Sequence, residues 1–230
     1  MPVVLGYWRQ RAYGQSIRLM LEYTETDYKE EVYVCAGPPD FSKDCWRSIK
    51  DNFGLAFPNL PYYIDGDLKL THSMAIMRHL GRKNNLYGVS EEEQIRQDML
   101  EQQVCDFRDA YYGLTYNAKD FEKEKVDYLK ELPKELRRFS SFLGEKSWFV
   151  SEKMTYCDFL VYEHLDQHRV LEPTCLNGFK NLEDFMDRFE ALPKIAAYLK
   201  SDRFYVHPIC NRRAKFSNEP NYNVSDNNQK

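Results

Sequence analysis

The segment FPNLPYYIDGDLKLTHSMAI, residues 57–76, decides how the first part of the chain is expected to fold. Its stretch from Tyr62 to Ile64 has the aromatic and apolar composition of a buried strand. The Asp65-Gly66 pair that follows predicts a type I′ turn into a second short strand. The segment therefore predicts a β-hairpin that leads into a helix beginning near Ser73.

Two positions at the ends of this hairpin suggest a ligand. Pro61 directly precedes the first strand and is a candidate for a cis peptide bond, and Leu60 could offer its N–H and C=O to an extended ligand. The helix start at Thr71-His72-Ser73 combines free N–H groups with a hydroxyl, which stabilise an anion. Each feature alone also fits an ordinary strand entry or helix cap. Together they favour a short peptide with a carboxylate at one end.

The segments around the hairpin predict two domains. Residues 3–8 (VVLGYW) and 30–34 (EEVYV) are typical of strands, and residues 14–24 of a helix, which is the order of a small α/β layer fold. After residue 90 the pattern is helical, with a kink or break expected at Pro133 and a capping box of Thr155 and Asp158 at a later helix start. We therefore expect an α/β domain over 1–83, a linker over 84–90, an all-helical domain over 91–216 and a disordered, Asn-rich tail over 217–230.

Composition narrows the class of protein. The chain has 230 residues and a net charge of −4, which gives no basic field for nucleic acid. No apolar run reaches the ~18 residues of a membrane helix or the ~7 of a signal peptide. Six cysteines stand apart, without a Cys-x-x-Cys pair, which argues against a zinc site and a dithiol redox motif. We expect a cytoplasmic protein that binds neither nucleic acid nor membrane.

Five segments of the chain resemble mu-class cytosolic glutathione transferases, most of all mite and arthropod members. They are LGYW at 5–8, IRLMLEY at 17–23, residues 57–83, YLKELP at 128–133 and CDFLVYEHLD at 157–166. The resemblance runs from residue 2 to about residue 208. It implies a thioredoxin-like N-terminal domain, an all-helical C-terminal domain and a homodimer. It also implies an enzyme that conjugates reduced glutathione, its co-substrate, to small hydrophobic electrophiles in detoxification, without a metal.

The resemblance assigns roles to individual residues. Tyr7 matches the catalytic tyrosine, whose hydroxyl donates a hydrogen bond to the glutathione sulfur and so stabilises the thiolate. The glutathione-binding set that it implies is Tyr7, Trp8, Lys43, Trp46, Lys50, Asn59, Leu60, His72, Ser73 and, from the partner subunit, Asp106. The electrophile-binding set is Gln10, Tyr13, Arg108, Tyr112 and Tyr116.

Three features depart from the family pattern. Lys43 replaces the usual arginine, and a lysine ammonium binds a carboxylate less firmly than a planar guanidinium, which can donate two parallel hydrogen bonds. His72 replaces the usual glutamine, so we expect glutathione binding to weaken at low pH, because imidazolium repels the substrate ammonium. Gln10 and Tyr13 replace apolar residues, which predicts a more polar electrophile pocket.

The resemblance also predicts a dimer interface. Phe57 matches a residue that inserts into an apolar pocket of the partner, and Arg78, Asp98 and Glu101 match interface charges. Allergenicity, with IgE as a partner, is expected only by association with arthropod members of the family.

Other functions remain open at this stage. A ligandin-type protein would sequester apolar compounds with little catalysis, and a lens-type relative would be purely structural. The intact Tyr7 favours the enzyme. A thiol-disulfide or dehydroascorbate-type enzyme would need a cysteine near Tyr7, and residues 6–16 (GYWRQRAYGQS) contain none.

Overall fold

The computed structural model describes residues 2–217 and divides the chain into two compact units. The first contains Met1–Met77 and Asp202–Lys230, and the second contains Arg78–Ser201. The sequence pattern had suggested a boundary after residue 83 and had assigned everything up to 216 to the helical domain. The segment after Ser201 instead belongs with the first unit. Of the tail predicted to be disordered, residues 218–230 lie outside the described residues.

A four-stranded mixed sheet forms the centre of the first unit. Its strands are β1 (Val3–Trp8), β2 (Tyr28–Tyr33), β3 (Tyr62–Asp65) and β4 (Leu68–Thr71). They are arranged in the order β2-β1-β3-β4, with β1 parallel to β2 and the other pairs antiparallel. The parallel pair needs a crossover connection, which is the first helix of the chain.

The hairpin forms as predicted, but its turn differs from the prediction. Asp65 pairs with Leu68, so the two loop residues are Gly66 and Asp67 rather than Asp65 and Gly66. Of these two, only Gly66 has a positive φ, at 60°. A positive φ at the first loop position alone is the pattern of a type II′ turn, so the type I′ prediction was wrong. The Leu60–Pro61 peptide bond is cis, as predicted.

Among the described residues, the first unit also contains three helices and a 3-10 turn. They are α1 (Ala12–Tyr23), the short α2 (Asp44–Arg47), a 3-10 turn (Lys50–Phe53) and α3 (Ser73–Lys83), which continues into the second unit. The C-terminal segment pairs with the start of α1. The N–H of Arg11 donates to Pro208 O at 2.9 Å, and the N–H of Ala12 donates to Ile209 O at 3.1 Å. These bonds satisfy donors that a helix start otherwise leaves unpaired.

The second unit is helical in all of its regular structure. Its elements are α4 (Glu91–Tyr112), a π-helical turn (Gly113–Asn117), α5 (Phe121–Leu143), α6 (Tyr156–Leu171), α7 (Lys180–Glu190) and α8 (Pro193–Leu199). Helix α6 is the most buried of them, with Phe159 and Leu165 fully inaccessible. In the part of the chain that the structure describes, no helix is both long and apolar enough to cross a membrane.

Helix α5 continues through Pro133, so of the kink or break predicted there the break does not occur. Pro133 lies on the exposed side of the helix. The opposite side carries Leu132, Leu136 and Phe139, all buried. Their packing offsets the hydrogen bond that proline removes, because most helical stability in proteins comes from the buried face.

Two helices of this unit begin with a capping box. At α4, the N–H of Glu93 donates to Ser90 Oγ at 3.1 Å, and the N–H of Ser90 donates back to the Glu93 carboxylate at 3.2 Å. The predicted box at α6 is confirmed, with the N–H of Thr155 donating to Asp158 Oδ2 at 2.7 Å. Asp158 is fully buried and also accepts from the N–H of Phe149 at 2.9 Å. Burial raises the pKa of Asp158 to about 6, against these hydrogen bonds, which lower it.

Candidate active site

Tyr7 lies near the end of β1 with its ring buried. Its hydroxyl oxygen accepts from the N–H of Tyr13 at 3.1 Å and, at the long distance of 3.5 Å, from Gln10 Nε2. Burial raises the pKa of Tyr7 to about 12, although both hydrogen bonds and the charge of Arg18 act in the opposite direction. The phenol therefore keeps its proton at neutral pH.

The direction of these hydrogen bonds determines what Tyr7 can do. A phenolic hydroxyl has one donor proton and two acceptor lone pairs. Both bonds to its oxygen are donated by nitrogen, so they occupy its acceptor side. The proton is left to be donated to a neighbouring anion, which is the property that a bound thiolate requires.

Two residues that the sequence analysis did not single out hold this arrangement. A Cβ at Gly14 would lie 2.4 Å from Tyr7 Cδ1, so a side chain at that position would displace the ring. Arg18 is fully buried, and its Nε donates to Glu30 Oε1 at 2.7 Å while its Nη1 donates to Gln10 O at 2.8 Å. A signal for Arg18 was present in the sequence, because it is a lone charge within the apolar run Ile17–Leu21.

Two aromatic residues of the predicted glutathione set lie near the C-terminal ends of β1 and β2: Trp8 ends β1, and Trp46 packs against Tyr33 at the end of β2. Lys43 Nζ lies 5.8 Å from the centre of the Trp8 ring. Trp46 is buried in an aromatic cluster, with ring centroids 5.2 Å from Tyr33 and 5.7 Å from Tyr62. Lys50, in the next turn, lies 3.5 Å from the Asp51 carboxylate. Trp46 is thus fixed by packing, whereas the two lysines are only partly buried.

The hairpin brings the remaining glutathione candidates of the first unit together. Tyr62 pairs with Thr71, so Leu60 and Ser73, each two residues beyond this pair, flank the same end of the hairpin. The N–H of Leu60 donates to Asn59 Oδ1 at 2.9 Å, and a ligand must displace this bond to use that N–H. His72 is exposed, has a φ of 68° and directly precedes α3.

The electrophile candidates fall in both units. Gln10 is buried and Tyr13 is 38% exposed in the first unit. In the second unit, Tyr112 ends α4 and Tyr116 lies in the π-helical turn, with their ring centroids 6.1 Å apart. Arg108, on the same helix, donates from Nε to Asp109 Oδ1 at 2.9 Å. Single π turns often occur at functional sites.

The predicted interface residues differ in their surroundings. Phe57 is 72% exposed, and Asp98 and Asp106 are exposed on α4. Arg78 instead pairs with Glu101 in the same chain, with Nε 2.8 Å from Oε2, and this hydrogen bond raises the pKa of the guanidinium. The hydroxyl of Tyr156 donates to the same Glu101 carboxylate at 2.6 Å. Among residues 2–217, no three His, Cys, Asp or Glu side chains are grouped as metal ligands.

Family models match both parts of the chain. The model described as "Glutathione S-transferase, N-terminal domain" matches residues 3–82, and that described as "Glutathione S-transferase, C-terminal domain" matches residues 105–202. Mu 6 glutathione S-transferase of Mus musculus is 53% identical over 219 residues, covering 95% of this chain and 100% of the relative. Mu 3 of Homo sapiens is 51% identical, covering 95% of this chain and 96% of the relative.

The chain belongs to the mu class of glutathione S-transferases.

Solved structures agree with this assignment at the level of the fold. The crystal structure of the glutathione S-transferase Blo t 8 matches this mu-class transferase with a TM-score of 0.85 and 32% identity, covering 93% of this chain and 99% of the other. The pi-class transferase of Onchocerca volvulus matches with a TM-score of 0.82 and 32% identity, covering 94% of this chain and 100% of the other. The predicted thioredoxin-like domain followed by a helical domain is thereby confirmed. The mu-class transferase conjugates glutathione, its co-substrate, to electrophiles.

Proposed function

We propose that Tyr7 activates glutathione in this transferase by donating its phenolic proton to the sulfur. The supporting observation is the buried hydroxyl, whose acceptor side is occupied by Tyr13 and Gln10. A free thiol has a pKa of about 8.5 and is mostly protonated at neutral pH. A hydrogen bond to a charged group contributes about 1.5–3 kcal/mol, which lowers the thiol pKa by about 1 to 2 units.

The thiolate then attacks the electrophilic carbon of a small hydrophobic compound. A C–S bond forms, and the leaving group departs with the bonding electrons or, in an addition, the substrate takes up a proton. The enzyme positions the two reactants and stabilises charge, without a covalent intermediate of its own. Gln10, Tyr13, Arg108, Tyr112 and Tyr116 contact the electrophile in this proposal, and Tyr116 can act as its proton donor.

The glutathione pose follows the predicted set. Trp8, Asn59 and Leu60 contact the peptide backbone, and Ser73 and His72 bind the γ-glutamyl end. Lys43, Trp46 and Lys50 hold the glycyl carboxylate. The γ-glutamyl ammonium meets Asp106 of the partner subunit, which is exposed in one chain. Support for this pose comes from the shared hairpin end of Leu60 and Ser73.

The working form is proposed to be a cytoplasmic homodimer. The exposed Phe57 supports this, because a large aromatic side chain gains about 1.5–3 kcal/mol on burial. A closer relation to mite and arthropod members is also proposed, from the segments NLPYYIDGDLKLT at 59–71 and LGRK at 80–83. Recognition by IgE remains a prediction that binding of purified protein to sera from mite-sensitised donors would test.

One experiment separates the transferase from a sequestering protein. The rate of conjugation of glutathione to 1-chloro-2,4-dinitrobenzene is measured for the wild type, Tyr7→Phe and Tyr28→Phe. Tyr28 is a matched control, because its hydroxyl donates to Glu22 at 2.9 Å and not to the proposed site. We expect kcat/KM to fall about 10- to 100-fold in Tyr7→Phe only, with the pH at half-maximal rate raised by about 1 to 2 units.

A Tyr7→Phe variant with unchanged kcat/KM and an unchanged pH profile would contradict the role of Tyr7. Apolar dye binding by a wild type that does not conjugate this aryl halide would favour a ligandin-type protein instead.

A further inference from the structure

The first unit contains a small cavity beside Trp8, with a volume of about 30 Å³. Its walls come from the end of β1, from the end of β2 with Cys35, from Lys43, and from the C-terminal segment between Pro208 and Arg212. Four separate parts of the chain therefore meet around one space.

The cavity is strongly cationic. Arg9, Lys43 and Arg212 line it, and of the described residues that line it none is Asp or Glu. Lys43 Nζ lies 5.8 Å from the Trp8 ring centre, and Arg212 packs on the loop after β2, with Nη1 3.4 Å from where a Cβ at Gly37 would lie. All three cationic side chains are only partly exposed, so bulk water screens them less than it screens surface charges.

The Cys35 thiol, which also lines the cavity, is influenced by the same positive charges. Burial raises the pKa of this thiol, while Lys43, Arg212 and Arg213 act to lower it by favouring the thiolate. Burial and the neighbouring Cys45 leave the Cys35 pKa raised overall, but the three cations oppose this shift, as they would stabilise a bound anion.

The size of the cavity restricts what can enter it. A water molecule needs about 10–15 Å³ measured in this way, so the space of about 30 Å³ holds two or three waters or one small anionic group. A carboxylate or sulfonate fits, whereas an aromatic ring does not. The arginine forks suit such planar or multi-oxygen anions, because they can donate two parallel hydrogen bonds.

The cavity also borders the proposed reaction site. Gln10, which lines it, has its Nε2 3.5 Å from the Tyr7 hydroxyl. The Gln10 side chain therefore connects the cavity to the Tyr7 hydroxyl, so an electrophile held at the proposed reaction site can extend an anionic substituent towards the cavity.

We propose that this cavity, lined by Arg9, Lys43 and Arg212, is a subsite for a carboxylate or sulfonate substituent of the electrophile. The transferase consequently prefers anionic electrophiles to neutral ones of the same shape. This inference rests on the proposed function, because it assumes that the electrophile binds beside Gln10. The rival anion is the glycyl carboxylate of glutathione, because in the proposed pose Lys43 binds that carboxylate and Trp8, which also lines the cavity, contacts the peptide backbone.

The test compares 4-chloro-3,5-dinitrobenzoate with its neutral carboxamide, which has nearly the same shape and the same leaving group. KM and kcat are measured for both compounds, and for glutathione, in the wild type, Arg212→Gln and Arg213→Gln. Arg213 is a matched control, since it is exposed and does not line the cavity, yet its loss changes the net charge equally. Thermal unfolding verifies that each variant is folded.

We expect Arg212→Gln to raise KM for the benzoate about tenfold, which is the loss of one charge-assisted hydrogen bond, with KM for the carboxamide and for glutathione unchanged. Arg213→Gln, which removes the same charge from outside the cavity, should change KM for the benzoate much less than Arg212→Gln does. Equal effects on both compounds would overturn the proposal, as would an effect of Arg212→Gln on KM for glutathione alone, which would assign the cavity to the glycyl carboxylate.

Equilibrium binding separates a failure of this inference from a failure of the proposed function. The dissociation constants of the unreactive 3,5-dinitrobenzoate and 3,5-dinitrobenzamide are measured by calorimetry in the presence of S-methylglutathione. A benzoate preference that Arg212→Gln abolishes supports the subsite even if conjugation does not depend on Tyr7. Equal affinities of the wild type for both compounds would overturn it even if conjugation proceeds.

Discussion

His168 illustrates, at the scale of one residue, how the interior of the second unit sets the charge of a side chain. It is fully buried on α6, and its ring stacks on Phe107 with centroids 4.0 Å apart. Its Nδ1 lies 2.6 Å from His164 O, a bond in which it must be the donor, so Nε2 accepts from the hydroxyl of Tyr128 at 2.7 Å. Burial lowers the pKa of His168 to about 4, although the bond to His164 acts in the other direction.

This depressed pKa predicts acid sensitivity. Between pH 6.5, the ordinary pKa of histidine, and about pH 4, His168 is protonated in the unfolded chain but neutral in the folded chain. The free energy of unfolding therefore decreases as pH falls through this range. We expect His168 to account for about 2 kcal/mol of the loss in unfolding free energy between pH 7 and pH 5. Urea unfolding of His168→Gln, at one protein concentration, should show a correspondingly flatter pH dependence.

His207→Gln, which replaces an exposed histidine, is the control for the loss of one imidazole. An unchanged slope in His168→Gln would mean that the imidazole titrates equally in both states. Asp158 acts in the opposite sense: its pKa of about 6 is raised, so its contribution improves as pH falls below that value.

At the scale of the helix, the two capping boxes of the second unit form a natural comparison. The box at α4 is exposed, whereas Asp158 in the box at α6 is fully buried and binds both Thr155 and Phe149. Removing a buried acceptor leaves buried N–H groups unpaired, while the exposed donors of α4 can turn to water.

We therefore expect Asp158→Ala to lower the unfolding free energy by about 3 kcal/mol or more, and Glu93→Ala by only about 0.5–1 kcal/mol. Urea denaturation at fixed pH and protein concentration measures both. Equal losses in the two variants would show that burial of the box does not matter.

The elements differ in how far sequence could predict them. The α6 box was predictable, because Thr155 and Asp158 carry the pattern locally. The turn type of the hairpin was not predictable, because the loop residues are set by the pairing of Asp65 with Leu68. The break at Pro133 was not found for a similar reason. The helix is stabilised by the burial of Leu132 and Leu136, which cannot be inferred from the proline alone. The partners of Tyr7 likewise follow from the start of α1 rather than from any motif.

At the scale of the whole molecule, the exposed Phe57 favours assembly. At 72% exposure it is among the largest apolar side chains on the surface of the described residues, and Met99 on α4 is 56% exposed. Such residues are stabilised by a partner surface. The proposed contribution of Asp106 from the partner subunit then links assembly to glutathione binding.

We expect Phe57→Ala to weaken the dimer by at least tenfold in dissociation constant, because about 1.5–3 kcal/mol of apolar burial is lost at each copy. The apparent KM for glutathione should rise as the protein is diluted. Sedimentation velocity over a concentration series, with initial rates on the same samples, measures both. Val89→Ala, at another exposed apolar position, is the control; a Phe57→Ala protein that remains dimeric at all concentrations would remove this role.

The hydrogen bonds from Arg11 and Ala12 to Pro208 and Ile209 have a consequence for biosynthesis. The helix that they begin carries Tyr13, whose amide contacts the Tyr7 hydroxyl. During translation, Arg11 and Ala12 emerge long before Pro208 and Ile209, so these two hydrogen bonds form only after the later segment has been made. The amide that contacts the Tyr7 hydroxyl thus lies on a helix whose first hydrogen bonds depend on a segment synthesised much later.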